Sequence, residues 1–291
     1  MIKRNYLNYI GAKDKLLPQI RRELDSTRNT FVDAFCGSCV VAENVQDKFS
    51  KFIMNDACWQ LIELHKYIIN NDIEDTLFII DKYCKKYGLS KTNKEGYLKA
   101  REEFNNLFSG RTHFSPLLFY SLIVHSFNYS IHINSKGGFS VPFGANRSCY
   151  NSNLKSKLIS FYNTLKDADT TFYNFNFGSL TETILSTLKT EDIMMYCDPP
   201  YLSSDSSYSR IYGLKWTEEQ ERDMYKNLDL LDKKGVHFLL SNVLENNGKV
   251  NTILKEWSKK YTVINVDMSY KGCNYQRKDN GETVEVLIKN Y

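Results

Sequence analysis

Short apolar runs recur along the chain, most of them followed by a polar or small-residue turn and then by apolar positions at helical spacing. Phe31-Val32-Asp33-Ala34-Phe35 reads as a buried strand that passes through Cys36-Gly37-Ser38-Cys39 into a helical Val40 to Val45. Lys51 to Asp56 is the second such run. Thr170 to Phe177, Ile193 to Asp198, Val236 to Leu240, Tyr261 to Asp267 and Val284 to Lys289 complete a set of seven predicted strands. Leu16, Leu17, Ile20 and Leu24 recur at helical spacing. Pro18 is tolerated only in a first turn, so that helix begins near Lys15. Leu154 to Leu165 is helical, and Thr217 caps a helix through Leu231 whose first turn carries Glu218, Glu219 and Glu221 at the positive end of the dipole.

Strands alternating with helices predict an α/β, doubly wound, seven-stranded and mostly parallel Rossmann-like sheet. The last two strands are joined directly, which makes one of them antiparallel. From Cys58 to about Leu122 the alternation stops and the pattern is helical. Leu77, Ile80, Tyr83, Cys84 and Tyr87 form one face, ended by Gly88. Phe127 to Arg147 is rich in Asn, Ser, Gly and aromatics, and alternates on both sides of Gly137-Gly138, as a hairpin with polar tips does. The reading is thus a sheet domain of residues 1–57 and 151–291, carrying an inserted helical and hairpin module at 58–150.

The net charge of +4 permits a polyanionic partner without requiring one. No apolar run reaches transmembrane length, so no membrane is expected. The first residues lack the apolar core of a signal peptide. An odd count of seven cysteines without such a signal points to a reduced, cytoplasmic protein.

Candidate chemistry concentrates at strand ends. Asp198-Pro199-Pro200-Tyr201 follows the apolar Ile193-Met194-Met195-Tyr196-Cys197. The prolines end the strand, so a carboxylate, a rigid carbonyl and an aromatic ring are presented at its carboxyl edge. Asp198 and the Pro199 carbonyl can accept both hydrogens of an exocyclic base amine, aiming its lone pair at an electrophile, while Tyr201 stacks on the base. A plain Pro-Pro turn is the alternative. The first turn carries only Gly37, too few glycines for a pyrophosphate and enough for S-adenosylmethionine. Asp56 closes the second strand where a carboxylate holds ribose hydroxyls, or else caps the next helix. Cys36 to Cys39 is formally C-x-x-C, the spacing of a thiol-disulfide pair with a low-pKa Cys36. That reading leaves Asp198-Pro199-Pro200-Tyr201 idle, and small residues packed beneath a ligand fit better. Lys13 alone reads as a surface lysine.

Taken in order, Tyr9-Ile10-Gly11-Ala12-Lys13, Asp33-Ala34-Phe35-Cys36-Gly37-Ser38-Cys39, Asp56, Phe139-Ser140-Val141-Pro142-Phe143-Gly144 and Asp198-Pro199-Pro200-Tyr201 resemble the motifs of the Dam-type N6-adenine DNA methyltransferases over nearly the whole chain. The resemblance implies a site-specific enzyme that methylates a flipped-out adenine in double-stranded DNA. Its cofactor is S-adenosylmethionine, its product S-adenosylhomocysteine, and no metal is expected. Tyr9, Lys13, Asp33, Phe35, Gly37, Asp56, Asn176, Phe177 and Asp198 are then cofactor residues, and Asp198, Pro199, Pro200 and Tyr201 catalytic ones. Phe127, Asn128, Ser130, His132, Lys136, Pro142 and Arg147 of the hairpin, with Lys271, Asn274 and Arg277 of a late basic loop, face DNA. A monomer is implied, with a cognate restriction endonuclease as a further partner.

Three positions depart from the family pattern. Cys39 stands for a glycine. Asn176 stands where many relatives have Asp, leaving an uncharged acceptor. His132 stands where GATC-specific relatives have a guanine-reading arginine, and Ala145 replaces the arginine that commonly follows Pro-Phe-Gly. An Arg–guanine contact is worth ~1–3 kcal/mol of discrimination, so a target other than plain GATC is expected. Rival readings are an N4-cytosine methyltransferase, which usually has Ser before Pro-Pro-Tyr, and a catalytically silent DNA-binding relative.

Overall fold

The computed structural model describes residues 2–8, 13–109, 114–134, 137–202, 216–266 and 283–291. Its centre is a sheet of β1 (Thr30–Asp33), β2 (Lys51–Asn55), β3 (Asp169–Tyr173), β4 (Ile193–Cys197), β5 (His237–Asn246), β6 (Lys249–Val250), β7 (Thr262–Asn265) and β8 (Thr283–Lys289). The order is β3-β2-β1-β4-β5-β8-β7, with β6 paired to β5 off that path. From β3 to β5 all neighbours are parallel, and β8 runs antiparallel to both β5 and β7. The seven expected strands are all present. Two details differ. β5 extends past Leu240 to Asn246, and Asn247-Gly248, both at positive φ, turn it back into the short β6. β3 ends at Tyr173 rather than Phe177, because Asn176 starts a helix instead.

The central strands are apolar on both faces because both faces are covered. On one side, Val32, Met195, Cys197 and Phe238 pack under α8 (Phe177–Thr187), α9 (Glu218–Lys233) and α10 (Thr252–Trp257). On the other, Phe31, Phe52 and Tyr196 belong to an apolar cluster shared with α1 (Leu17–Glu23), α3 (Trp59–Asn70), α4 (Ile73–Tyr87), α5 (Lys94–Ser109), α6 (Pro116–His125) and α7 (Ser152–Leu165). The inserted helices therefore have no core of their own: Leu77, Phe104, Phe119 and Phe139 are continuous with the sheet's apolar layer. Local chemistry sets their ends. Asp72 accepts the Glu74 and Asp75 amides at the start of α4, Gly88 closes it, and Thr217 and Gln220 form a reciprocal cap on α9.

The chain visits β1, β2 and β3 in one direction and β4 and β5 in the other. The order thus reverses between β1 and β4, the place where open α/β sheets leave a crevice beyond their carboxyl ends. Asp33 and Asp198 lie at those two ends. Among the described residues, no helix is long and apolar enough to cross a membrane.

Candidate active site

Beyond β4 the chain enters Asp198-Pro199-Pro200-Tyr201. The Lys13 ammonium lies 2.6 Å from Asp198 Oδ2, and the two side chains are 10% and 12% exposed. Lys13 is therefore no surface lysine; it reaches the carboxylate from the amino-terminal segment. Tyr201 donates its hydroxyl proton toward Asp198 Oδ1 at 2.8 Å, with Glu285 Oε1 at 3.2 Å and Ser241 Oγ at 3.4 Å beside it. Burial, then the Asp198 and Glu285 carboxylates, pushes this phenol well above its usual range, so it remains a proton donor. Lys13 Nζ stands 5.2 Å from the centre of the Tyr201 ring.

At the end of β1, Asp33 is 1% exposed and its Oδ1 has no hydrogen-bond partner among the described residues. Burial, followed by Cys39, Asp198 and Asp56, raises its carboxyl well above the carboxylate range. The turn that follows is closed by a Cys39 N–H to Cys36 O bond of 2.6 Å. Gly37 sits at φ +47° with its N–H donating to Asp56 Oδ2 at 2.9 Å, and its carbonyl lies 2.8 Å from His65 Nε2. Asp56 Oδ1 accepts the Cys58 N–H at 2.8 Å, so this carboxylate joins the first turn to the start of α3. The helix-cap role proposed for it is not met: α3 starts at Trp59 behind Cys58 with no side-chain cap, and Asp56 instead closes a turn onto the Cys58 N–H just ahead of the helix, together with the loop contact.

Cys39 occupies φ +58°, a left-handed conformation that costs a residue with a Cβ roughly 1–2 kcal/mol. The expectation of a low-pKa Cys36 is reversed. Burial, then Cys39, pushes Cys36 well above the thiol range. Burial also raises Cys39, but the Cys36 thiol and the His65 imidazole outweigh it and lower Cys39 to about 6.

Phe35 and Phe177 stack with centroids 5.6 Å apart and planes 11° from parallel, and Trp216 meets Phe35 edge-on. Asn176 directs its Oδ1 to the Ser179 N–H at 2.9 Å as the cap of α8. The acceptor expected to face a cofactor is thus engaged in starting a helix.

Residues 127–134 and 137–147 pair as the expected hairpin, but irregularly. Two isolated bridges, Ser126–Phe143 and Ile133–Phe139, replace continuous strands. Phe127 donates its N–H to Pro142 O at 2.8 Å and leaves its ring 47% exposed. Asn128 and Tyr129 both take positive φ. Asn128, Pro142 and Arg147 are exposed, Ser130 is half-buried, and half-buried His132 bonds through Nδ1 to Ser140 Oγ across the hairpin. A Cβ on Gly144 would lie 2.5 Å from Ser126 O and 2.7 Å from the Ser148 side chain, so only glycine fits there. Tyr9, Lys136, Lys271, Asn274 and Arg277 lie outside the described residues.

Several site-building residues escaped the sequence reading. Glu285 is a buried acid among the apolar residues Val284 to Ile288 of β8, and Ser241 ends the apolar run of β5. His65 is wholly buried on α3, with Nδ1 2.8 Å from the Tyr6 hydroxyl. Asn55 binds the Ala34 and Phe175 carbonyls and the Phe175 N–H, fastening the ends of three strands together. Charged or polar residues in apolar runs were the available signal.

At the topological switch point of an α/β sheet, Asp198 thus lies between a lysine and a tyrosine at the end of β4, beside the buried Asp33 at the end of β1, an arrangement suited to binding a ligand. The family of D12 class N6 adenine-specific DNA methyltransferases matches residues 9–271, and the chain belongs to it. It is 37% identical over 292 residues to the type II methyltransferase M.FokI of Planomicrobium okeanokoites, and 36% identical over 290 residues to the modification methylase StsI of Streptococcus sanguinis. Each alignment takes in 98% of this chain and 42% of the relative, so the chain spans less than half the length of these proteins. The DNA adenine methylase of Escherichia coli K12 is 27% identical over 82% of this chain and 80% of its own length. Among solved structures, the rRNA methyltransferase aviRa of Streptomyces viridochromogenes aligns at 10% identity with a TM-score of 0.36, over 94% of this chain and 84% of that one.

Proposed function

We propose that this chain transfers a methyl group from S-adenosylmethionine to the N6 amine of an adenine flipped out of double-stranded DNA. The observation that carries the reading is the placement of Asp198, bracketed by Lys13 and Tyr201, at the switch point beside the Asp33–Cys39 turn. The residues present suit the methyl donor. Asp33 offers a buried carboxyl oxygen with no hydrogen-bond partner among the described residues, open to a polar group of the ligand. Asp56 stands at the end of β2, where a ribose is held in this architecture. Phe35 and Phe177 supply flat apolar surface for an adenine.

S-adenosylmethionine, when bound, supplies an activated methyl group on a sulfonium. The chain's part is orientation and polarisation. The Asp198 oxygens keep lone pairs beyond their contacts with Lys13 and Tyr201, and one of them accepts one amine hydrogen. The Pro199 carbonyl, fixed by two prolines, accepts the other. This pairing would favour a pyramidal amine with its lone pair free to accept a methyl group. Tyr201 holds the carboxylate in place through its hydroxyl and offers its ring to the base. Extruding the adenine costs a few kcal/mol of stacking, offset by contacts in the pocket and along the hairpin.

Segment 58–150 serves target recognition in this reading, with Phe127, Asn128, Pro142 and Arg147 forming the exposed edge that meets DNA and His132 set for a sequence other than plain GATC. The relative StsI is named a modification methylase, and a cognate endonuclease is the partner this reading expects for the chain. Single-molecule sequencing of unmethylated plasmid after incubation with the protein and S-adenosylmethionine tests the reading. Methyl marks on adenine in one short motif are expected. Marks confined to GATC refute the specificity, marks on cytosine refute the target base, and unmarked DNA with intact donor binding refutes the substrate.

A further inference from the structure

The cysteine pair in the β1 turn is left unused by methyl transfer. Cys36 Sγ, Cys39 Sγ and a His65 ring nitrogen all lie within 4.8 Å of one another. All three residues are buried, and Cys36 alone retains slight exposure, 6%. The turn brings the two thiols together by closing on itself, through the Cys39 N–H to Cys36 O bond. Cys39 holds its side chain in this contact despite a backbone conformation that favours glycine. His65 is fixed from both sides, by Tyr6 and by the Gly37 carbonyl between the two cysteines. A merely space-filling residue would not need this conformation, this partner and this imidazole together.

We propose that Cys36 and Cys39 are a reversible oxidation site that a peroxide converts to a disulfide, and that the disulfide weakens binding of the methyl donor at the same turn. The bookkeeping closes with peroxide as the two-electron oxidant. The Cys39 thiolate attacks one peroxide oxygen, the O–O bond breaks, and hydroxide leaves with the electron pair, giving a sulfenic acid. The Cys36 thiol then attacks that sulfur, its proton joins the departing hydroxyl, and water is released as the S–S bond forms. The lowered Cys39 supplies the thiolate for the first step and the protonated Cys36 suits the second. Hydrogen peroxide, close to water in size, is the oxidant whose dimensions suit so buried a pair. Drawing the sulfurs to bonding distance shifts Gly37, and with it the loop contacts to Asp56 and His65.

The effect on the donor rests on the proposed function; the disulfide does not. The test treats reduced full chain with hydrogen peroxide, blocks remaining thiols under denaturing conditions and maps the peptides by mass. A Cys36–Cys39 link that thiol reductant reverses, and that Cys39→Ser abolishes, is the expected result. Both thiols still free at doses that oxidise the less buried Cys84 and Cys149 overturn the proposal. So does one Zn2+ per chain, found by native mass spectrometry and lost in Cys36→Ser, which makes the cluster a metal site. Calorimetry with S-adenosylmethionine is expected to show at least tenfold weaker binding to the oxidised form, restored on reduction. Equal affinities overturn the regulatory half. Absence of binding to the reduced protein instead refutes the proposed function.

Discussion

Asp198→Asn isolates the charge of the acid while keeping its shape. In the parent, Oδ2 meets Lys13 at 2.6 Å and Oδ1 meets Tyr201 at 2.8 Å. The asparagine keeps its carbonyl toward Lys13 and places its amide toward the Tyr201 oxygen. The Tyr201 hydroxyl can turn its proton to Glu285 at 3.2 Å or Ser241 at 3.4 Å, so no buried donor is stranded. The fold then loses about 1–3 kcal/mol, the worth of one charge-assisted contact in a nearly buried pair. Methyl transfer loses more, because the amine faces a neutral carbonyl on one side and a hydrogen-bond donor on the other. Removing one preorganised polar contact of this type costs roughly 10²–10³-fold in kcat. Transfer of tritiated methyl from S-adenosylmethionine to plasmid DNA reads kcat, while filter binding reads DNA affinity and thermal melting reads stability. The expected result is a large fall in kcat, with DNA affinity little changed and melting lowered only by the few degrees that this loss of stability implies. A variant whose kcat stays within about tenfold of the parent refutes Asp198 as the acceptor that activates the amine.

Gly144→Ala places a Cβ 2.5 Å from the Ser126 carbonyl, a backbone atom, so the hairpin must shift against the end of α6. A loss of about 1–3 kcal/mol in denaturant unfolding is expected, together with weaker DNA binding; parental values for both contradict the packing argument. Glu43, buried on α2 (Val40–Glu43), has its carboxyl pushed up by burial from its ordinary 4.5 to about 7. Its folded-state pKa exceeds the unfolded one, so its contribution is whole below pH 4.5 and is lost as pH rises through 7. Glu43→Gln removes that loss and is expected to stabilise the protein by roughly 3 kcal/mol at pH 8 relative to its effect at pH 4. Melting curves at the two pH values check it, and an effect independent of pH rules it out.

Much of this protein was legible in one dimension, because the signals involved are local. Strand periods, the capping residue Thr217 and the stop at Gly88 depend only on near neighbours, and they appear where the sequence puts them. The motif order likewise identifies the family, since Asp33, Asp56 and Asp198 each follow a strand whose end must reach the same edge of the sheet. Boundaries were less legible where two local preferences compete. Asn176 prolongs an apolar alternation but also makes a good helix cap, and packing of Phe177 and Leu180 beneath α9 favours the helix.

Only the tertiary structure decided who touches whom at the site. Lys13 and Asp198, Tyr201 and Glu285, and His65 and Gly37 come from segments far apart in sequence, and nothing in their own neighbourhoods announces the contact. The charge state of Cys36 and Cys39 belongs to the same class. Spacing makes them a pair, but burial and the approach of His65 determine that Cys39, not Cys36, is the acidic thiol. Periodicity and caps are read from covalent neighbours, whereas electrostatics and hydrogen bonding depend on distances that exist only after the sheet has closed its order around β1 and β4.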